Sequence, residues 1–238
     1  MVTPYYRQDD LVIYQGDARQ ILPTLGQGIA RLILTDPPYN ISVPDDIVFS
    51  DRADMTRDFG QWDYGWNPED LLIPAADLLY PGGSLLSFCS DWMISEFKET
   101  ERLKSRGTIV WEKTNPSPAA RPGYVSATEW IVWLVKHGKP AVWNADGFTV
   151  NIERHPVCRN KRHPTQKPEG LIERFMLRHS NKGDLVIDPY MGSGTTLRAA
   201  KNLGRRAIGI ELEEKWCELA AKRLGQNVLD LEYDDAPS

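Results

Sequence analysis

A carboxylate, two prolines and an aromatic ring stand in a row at Asp36-Pro37-Pro38-Tyr39, directly after the apolar run Leu32-Ile33-Leu34. The carboxylate can accept hydrogen bonds from an amino group, and the tyrosine ring offers a stacking face. Each proline fixes its own φ and restricts the residue before it, so the two groups ride on a stiff segment. The combination suits a flat, amino-bearing ring such as a nucleobase. Taken alone, it suits a rigid turn beside a strand equally well.

A second constellation lies far along the chain. Asp188-Pro189-Tyr190-Met191-Gly192-Ser193-Gly194-Thr195 follows the apolar Leu185-Val186-Ile187, and a helical pattern then leads to Ala207-Ile208-Gly209-Ile210 and Glu211. Strand, Gly-x-Gly turn, helix, strand and terminal acid form the layout of a nucleotide-binding half. The glycines let the backbone approach the ligand, and the acid accepts hydrogen bonds from ribose hydroxyls. Thr195-Thr196-Leu197 replaces the third glycine of the dinucleotide fingerprint, which argues against NAD and for another adenosine-containing ligand.

The elements around these motifs alternate. Leu11-Val12-Ile13-Tyr14 reads as a strand ending at Gly16-Asp17, Ala18 to Leu25 as a short helix, and Leu32 to Leu34 as the next strand. Helices are expected over Glu69 to Tyr80, Trp92 to Lys104, Pro168 to Arg178, Thr195 to Leu203 and Glu213 to Leu224. Further strands are expected over Ser84 to Phe88, Thr108 to Trp111 and Thr128 to Val135. This predicts an α/β fold, a single domain around a mostly parallel sheet with helices on both faces, and places both constellations at carboxyl ends of central strands. Residues 41–68 are polar and irregular, long enough only for a mobile or binding loop. Their Trp62, Tyr64 and Trp66 are expected mainly to anchor that loop. Turns dominate 136–163.

Composition sets the frame: 41% hydrophobic and 26% charged residues over 238 positions describe one sizeable globular domain. No apolar run is long enough to cross a membrane, and the opening residues lack a signal-peptide pattern. Cys89, Cys158 and Cys217 are few and scattered, which points to a reducing compartment, the cytoplasm by default. The net charge of -5 speaks against a uniformly basic nucleic-acid binder. Between Lys113 and Lys167, however, nine basic residues stand against three acids, a local excess of about six positive charges. His155, Cys158 and His163 lack the spacing of a zinc module, so no metal is expected.

With these motifs in this order, the chain resembles the beta class of the amino-group DNA methyltransferases. Asp188-Pro189-Tyr190-Met191-Gly192-Ser193-Gly194-Thr195-Thr196 is similar to that family's cofactor loop, with Tyr190 where phenylalanine is commoner. Asp36-Pro37-Pro38-Tyr39 is similar to its catalytic motif, His163-Pro164-Thr165-Gln166-Lys167-Pro168 to the segment before the cofactor strand, and Gly16-Asp17 to the acid near the cofactor's adenine. The resemblance spans about residues 11 to 224 and implies a Rossmann-like methyltransferase domain with circularly permuted motif order. It implies S-adenosylmethionine as cofactor, held by the loop from Asp188 through Tyr190, Gly192, Ser193 and Gly194 to Thr195. Glu211 would take the ribose, Asp17 the adenine, and Thr165 and Lys167 the carboxylate end.

It further implies that Asp36 and the Pro37 carbonyl accept hydrogen bonds from the target amino group, with Pro38 stiffening the motif and Tyr39 stacking on the base. The substrate would be double-stranded DNA with one base flipped out, read by a short target-recognition region over 136–163. Lys113, Arg121, Arg154, Arg159, Lys161 and Arg162 would contact DNA phosphates. Adenine N6 is favoured over cytosine N4 because the motif opens with Asp36. RNA or protein-glutamine methylation is disfavoured because those families usually place the cofactor loop first. A homodimer and a cognate restriction nuclease stay open as further partners.

Overall fold

The computed structural model describes residues 2–39, 65–116, 123–159, 163 and 165–226. Most of the expected loop over 41–68, including Trp62 and Tyr64, and the basic residues Arg121, Lys161 and Arg162 lie outside the described residues. In chain order the elements are β1 (Tyr6–Gln8), β2 (Leu11–Gln15), α1 (Ala18–Ile21), β3 (Ala30–Thr35), α2 (Glu69–Leu78), β4 (Leu79–Cys89), α3 (Ile94–Lys98) and β5 (Leu103–Lys113). They continue with β6 (Thr128–Lys136), β7 (Ile152–His155), α4 (Glu169–His179), β8 (Leu185–Asp188), α5 (Thr195–Asn202), β9 (Arg206–Glu211) and α6 (Glu214–Leu224).

The strands form one nine-stranded sheet in the order β1-β2-β9-β8-β3-β4-β6-β5-β7. The block from β2 to β4 is parallel throughout. β3 is the fifth of the nine strands, and Leu32, Ile33 and Leu34 are fully buried because helices cover both faces of a parallel sheet. Side-chain alternation splits the core accordingly. Ile33 faces Leu72, Leu85 and Phe97, under α2 and α3. Leu32 and Leu34 face Phe175, Leu197 and Ala220, under α4, α5 and α6. Both sequence constellations therefore leave neighbouring parallel strands at the same end, since β3 pairs directly with β8.

Two expectations are corrected. The helix expected from Trp92 to Lys104 is confined to a short turn and α3, and Leu103 and Lys104 already pair with β6. Gly107, at φ 148°, sits at a register shift inside β5. The helix expected through Tyr80 ends at Leu78, and Pro81-Gly82-Gly83 lies within the long strand β4, beside a register irregularity against β3.

The expected recognition region divides in two. β6 runs antiparallel to β4, with Cys89 opposite Trp130 and Ser84 opposite Val135, so Lys136 emerges at the end of the sheet away from Asp36. There Trp143 stacks on Trp133 with ring centres 5.5 Å apart, and the Asn144 amide donates to the Leu177 and Ser180 carbonyls at 3.0 Å. β7 then runs parallel to β5 and returns the chain, at His155, to the end of the sheet where Asp36 lies.

Candidate active site

A single cleft of about 300 Å³, at the lower end of small-ligand sites, opens at the carboxyl ends of β2, β3, β8 and β9. It brings together Asp36 and Pro38 from the first motif with Asp188, Tyr190, Gly192, Ser193 and Thr195 from the second. Asp17, Glu211, Thr165 and Lys167 also line it. Their sequence positions are far apart, but the parallel strands deliver them to one place.

The loop after β8 is held by its own hydrogen bonds. Asp188 is buried and accepts from the Thr35 hydroxyl at 2.7 Å and the Tyr190 backbone N–H at 3.2 Å, tying the cofactor-type loop to the end of the catalytic strand. Burial pushes its carboxyl up to about 6, against the lowering effect of those donors and Thr196. The Tyr190 hydroxyl accepts from Trp66 Nε1 at 2.8 Å. Glu211 accepts from the Gly192 N–H at 3.0 Å and the Glu213 N–H at 2.8 Å, so this acid shapes the turn as well as facing the cleft.

Gly194 does not line the cleft. It caps α5 at φ 75°, and a Cβ there would stand 2.7 Å from the Ala220 side chain, so its role is close helix packing. Ser193 and Thr195 offer a carbonyl and a hydroxyl to the buried Arg223, the hydroxyl at 3.1 Å. Asp17 caps α1 and pairs with Arg19 at 2.7 Å, whose hydrogen bonds hold its carboxyl below the usual range.

At the catalytic motif, Lys167 Nζ donates to Asp36 Oδ2 at 2.6 Å, while the Tyr39 hydroxyl donates to Asp36 Oδ1. Lys167 also pairs with Glu129 on β6 at 3.1 Å, and Glu129 in turn with Lys113 on β5 at 3.1 Å. Burial pushes the Lys167 ammonium down, but Asp36 and Glu129 together outweigh it and keep the amine firmly charged. Burial likewise pushes Glu129 up, and Lys167 and Lys113 bring it below the usual range. Asp36 is the member whose charge is least supported: burial raises its carboxyl more than Lys167 lowers it.

Several expected roles shift on this geometry. Lys167 lines the cleft but its ammonium contacts two carboxylates. Lys113 points inward to Glu129 with a side chain 16% exposed. Arg154 is exposed beside Glu112, and Arg159 is exposed. Trp66 is an anchor, buried against Phe97 and Tyr190, and also a wall of the cleft. His163 lines the cleft against Trp216, its imidazole pushed down to about 4 by burial and therefore neutral, with Nδ1 3.1 Å from the Thr165 hydroxyl. Glu129 carried no motif signal; only the strand's antiparallel return shows where it lands. Among the described residues no three metal-ligating side chains gather.

A carboxyl-end cleft, a Gly-x-Gly turn and a strand-end acid define an α/β enzyme that binds an adenosine-bearing cofactor. The family model for DNA methylases matches residues 30–222, and the chain belongs to that family. It is an S-adenosylmethionine-dependent DNA methyltransferase.

The chain is 32% identical to the Type II methyltransferase M2.DpnII of Streptococcus pneumoniae, over 94% of this chain and 93% of that protein. It is 31% identical to the Type II methyltransferase M2.MboI of Moraxella bovis, over 93% and 91%. Among solved structures, the M1.HpyAVI–SAM complex superposes with a TM-score of 0.71 at 31% identity, covering 90% of this chain and 99% of that one. PvuII DNA methyltransferase (cytosine-N4-specific) gives 0.76 at 17% identity, covering 95% of this chain and 90% of that one, a likeness of fold alone.

The cleft suits the cofactor on its own terms. Gln15 pairs with Glu211, so the ends of β2 and β9 bring Asp17 and Glu211 side by side, two acceptors for adenosine hydroxyl and amino donors. A Cβ on Gly192, at φ 50°, would approach the His163 ring to 3.5 Å and narrow the passage between loop and imidazole.

Proposed function

We propose that the protein methylates adenine N6 at specific sites in double-stranded DNA, with the target base flipped into the cleft. The observation that carries this is the Asp36 carboxylate sharing one cleft with the loop after β8. S-adenosylmethionine supplies an electrophilic methyl group. An exocyclic amine is a poor nucleophile because its lone pair is delocalised into the ring. The Asp36 carboxylate and the Pro37 carbonyl accept its two N–H groups and hold it nearer sp3 geometry, aimed at the methyl.

Each Asp36 oxygen already takes one hydrogen bond and keeps a second acceptor site. As the nitrogen takes the methyl, the donor's sulfur–carbon bond would break to leave a neutral thioether and the nitrogen would become cationic, and Asp36, the carboxylate whose charge burial supports least, would relieve it of a proton. Lys167 holds its own proton throughout. Because the cleft is recessed, the amine must leave the duplex stack to reach Asp36.

The opening Asp36 supports adenine over cytosine. The named relatives are Type II methyltransferases, which supports a modification enzyme paired with a nuclease. The free cysteines support a reducing, cytoplasmic setting. Asp17 and Glu211 would take the adenosine, Tyr190, Gly192 and Ser193 the methionine part, and Arg154 and Arg159 the DNA backbone; a second copy of the chain is a further proposed partner. The test is incubation with methyl-labelled S-adenosylmethionine and duplex DNA, followed by nucleoside analysis. N6-methyladenine is expected; N4-methylcytosine would overturn the base assignment, and label confined to RNA or protein would overturn the DNA assignment.

A further inference from the structure

We propose that Glu129 is a positioning residue for methyl transfer: by holding the Lys167 ammonium from the side away from the cleft, it keeps the Asp36 carboxylate available to the target amino group. The proposal rests on the methyltransferase reading above and adds a residue that neither motif contains. Glu129 does not line the cleft, so it acts through its contact with Lys167 and its charge near Asp36 rather than by touching substrate.

The geometry is a chain of alternating charges across four segments. Lys113 near the end of β5 meets Glu129 at 3.1 Å, Glu129 meets Lys167 at 3.1 Å, and Lys167 meets Asp36 at 2.6 Å. Lys167 is 9% exposed and lies over the Phe88 ring, 4.8 Å from its centre, so water does little to screen it. An ammonium with a single carboxylate partner in such a place would commit that carboxylate's lone pairs and charge to itself. Two carboxylates share the charge, and Asp36 then remains a strong acceptor. Lys113 compensates the second carboxylate and lets both ionise.

Among the described residues, the other groups facing Asp36 are the Tyr39 hydroxyl from its own motif, the Cys89 thiol on β4, pushed up to about 12, and the Asp188 carboxyl on β8. None replaces Glu129 as a counter-charge to Lys167. Glu129 raises the Asp36 carboxyl and Lys167 lowers it, so removing either charge moves Asp36 in opposite directions.

The experiment is a carboxyl carbon NMR titration of Asp36 in the cofactor-free protein, assigned by its loss in Asp36→Asn, alongside single-turnover methyl transfer and cofactor affinity by calorimetry. In Glu129→Gln, Asp36 is expected to titrate at lower pH than in the wild type, and the transfer rate to fall about tenfold or more, with cofactor Kd changed less than about threefold. In Lys167→Met, Asp36 is expected to titrate at higher pH. Glu129→Asp keeps the charge and is expected to restore the wild-type titration and part of the rate; it also serves if Glu129→Gln does not fold. An unmoved Asp36 titration in Glu129→Gln, or a loss confined to cofactor Kd, would overturn the proposal. A wild-type protein that methylates no DNA would instead overturn the reading beneath it.

Discussion

Lys167 Nζ and Asp36 Oδ2, 131 positions apart in sequence, meet at 2.6 Å on the wall of the cleft. This contact joins the segment before α4 to the catalytic motif after β3, so the expected cofactor anchor and the expected catalytic acid belong to one electrostatic unit. The nearby cofactor loop is tied to the same strand through the Thr35 hydroxyl and Asp188. Neighbouring parallel strands thus deliver both motifs to one cleft, with Lys113 of β5 and Glu129 of β6 joined to it through Lys167.

Gly194→Ala tests whether the Gly-x-Gly turn is shaped by helix packing. The substitution places a Cβ at φ 75° and 2.7 Å from Ala220. A loss of about 1–3 kcal/mol in stability is expected, read as a lower thermal midpoint. An unchanged midpoint would show that α5 and α6 adjust freely.

Trp66→Phe removes the donor to the Tyr190 hydroxyl while keeping an aromatic ring against Phe97. Stability is expected to fall by about 1 kcal/mol, and cofactor Kd to rise several-fold because Tyr190 loses its restraint. DNA affinity of the cofactor-saturated protein is expected to hold, by fluorescence anisotropy. Weakened DNA binding with unaltered cofactor Kd would instead make Trp66 a DNA contact.

His179 gives a pH dependence away from the site. Burial beside Trp133 and Trp143 pushes its imidazole down to about 3, and neither ring nitrogen has a hydrogen-bond partner among the described residues. In the unfolded chain a histidine titrates near its ordinary value of about 6.5. Below that pH the unfolded state binds a proton that the folded state refuses, so stability is lost as pH falls from about 6.5 toward 3. His179→Phe is expected to widen its thermal advantage over the wild type as pH drops from about 7 to about 5. A gap independent of pH would contradict the assignment.

Asp188 has the opposite sign. Its carboxyl is raised to about 6 by burial, so the folded state holds a proton that the unfolded chain releases, and this contribution fades as pH rises through about 6. Asp188→Asn is expected to gain stability relative to the wild type between about pH 5 and pH 7 by thermal melting; a relative loss over that range would mean the ionised carboxylate is what the Thr35 and Tyr190 donors require.

Much of the catalytic end was legible because it is local in sequence. Asp36 to Tyr39 and Asp188 to Thr195 each follow an apolar strand, and a parallel sheet carries such strand ends to one edge, so their convergence follows from the alternation of elements. Glu129, Trp66 and His163 were harder. Glu129 enters the site only because β6 runs antiparallel to β4, a reversal that the sequence of β6 does not announce. The stretch from Trp92 to Lys104 carries a helical pattern, whereas cross-strand pairing at Leu103 with Lys136 sets the structure at its end. Charge patterning does not show where Lys113 points, since a basic residue after a strand carries no mark of whether it faces solvent or a buried carboxylate.

Asp36→Ala, measured for cofactor affinity by calorimetry and for methyl transfer to duplex DNA in the same preparation, tests the central claim most directly. Cofactor Kd is expected within a few-fold of wild type and transfer reduced by about a thousandfold or more. Methyl transfer to adenine at the wild-type rate, with cofactor bound, would contradict that claim.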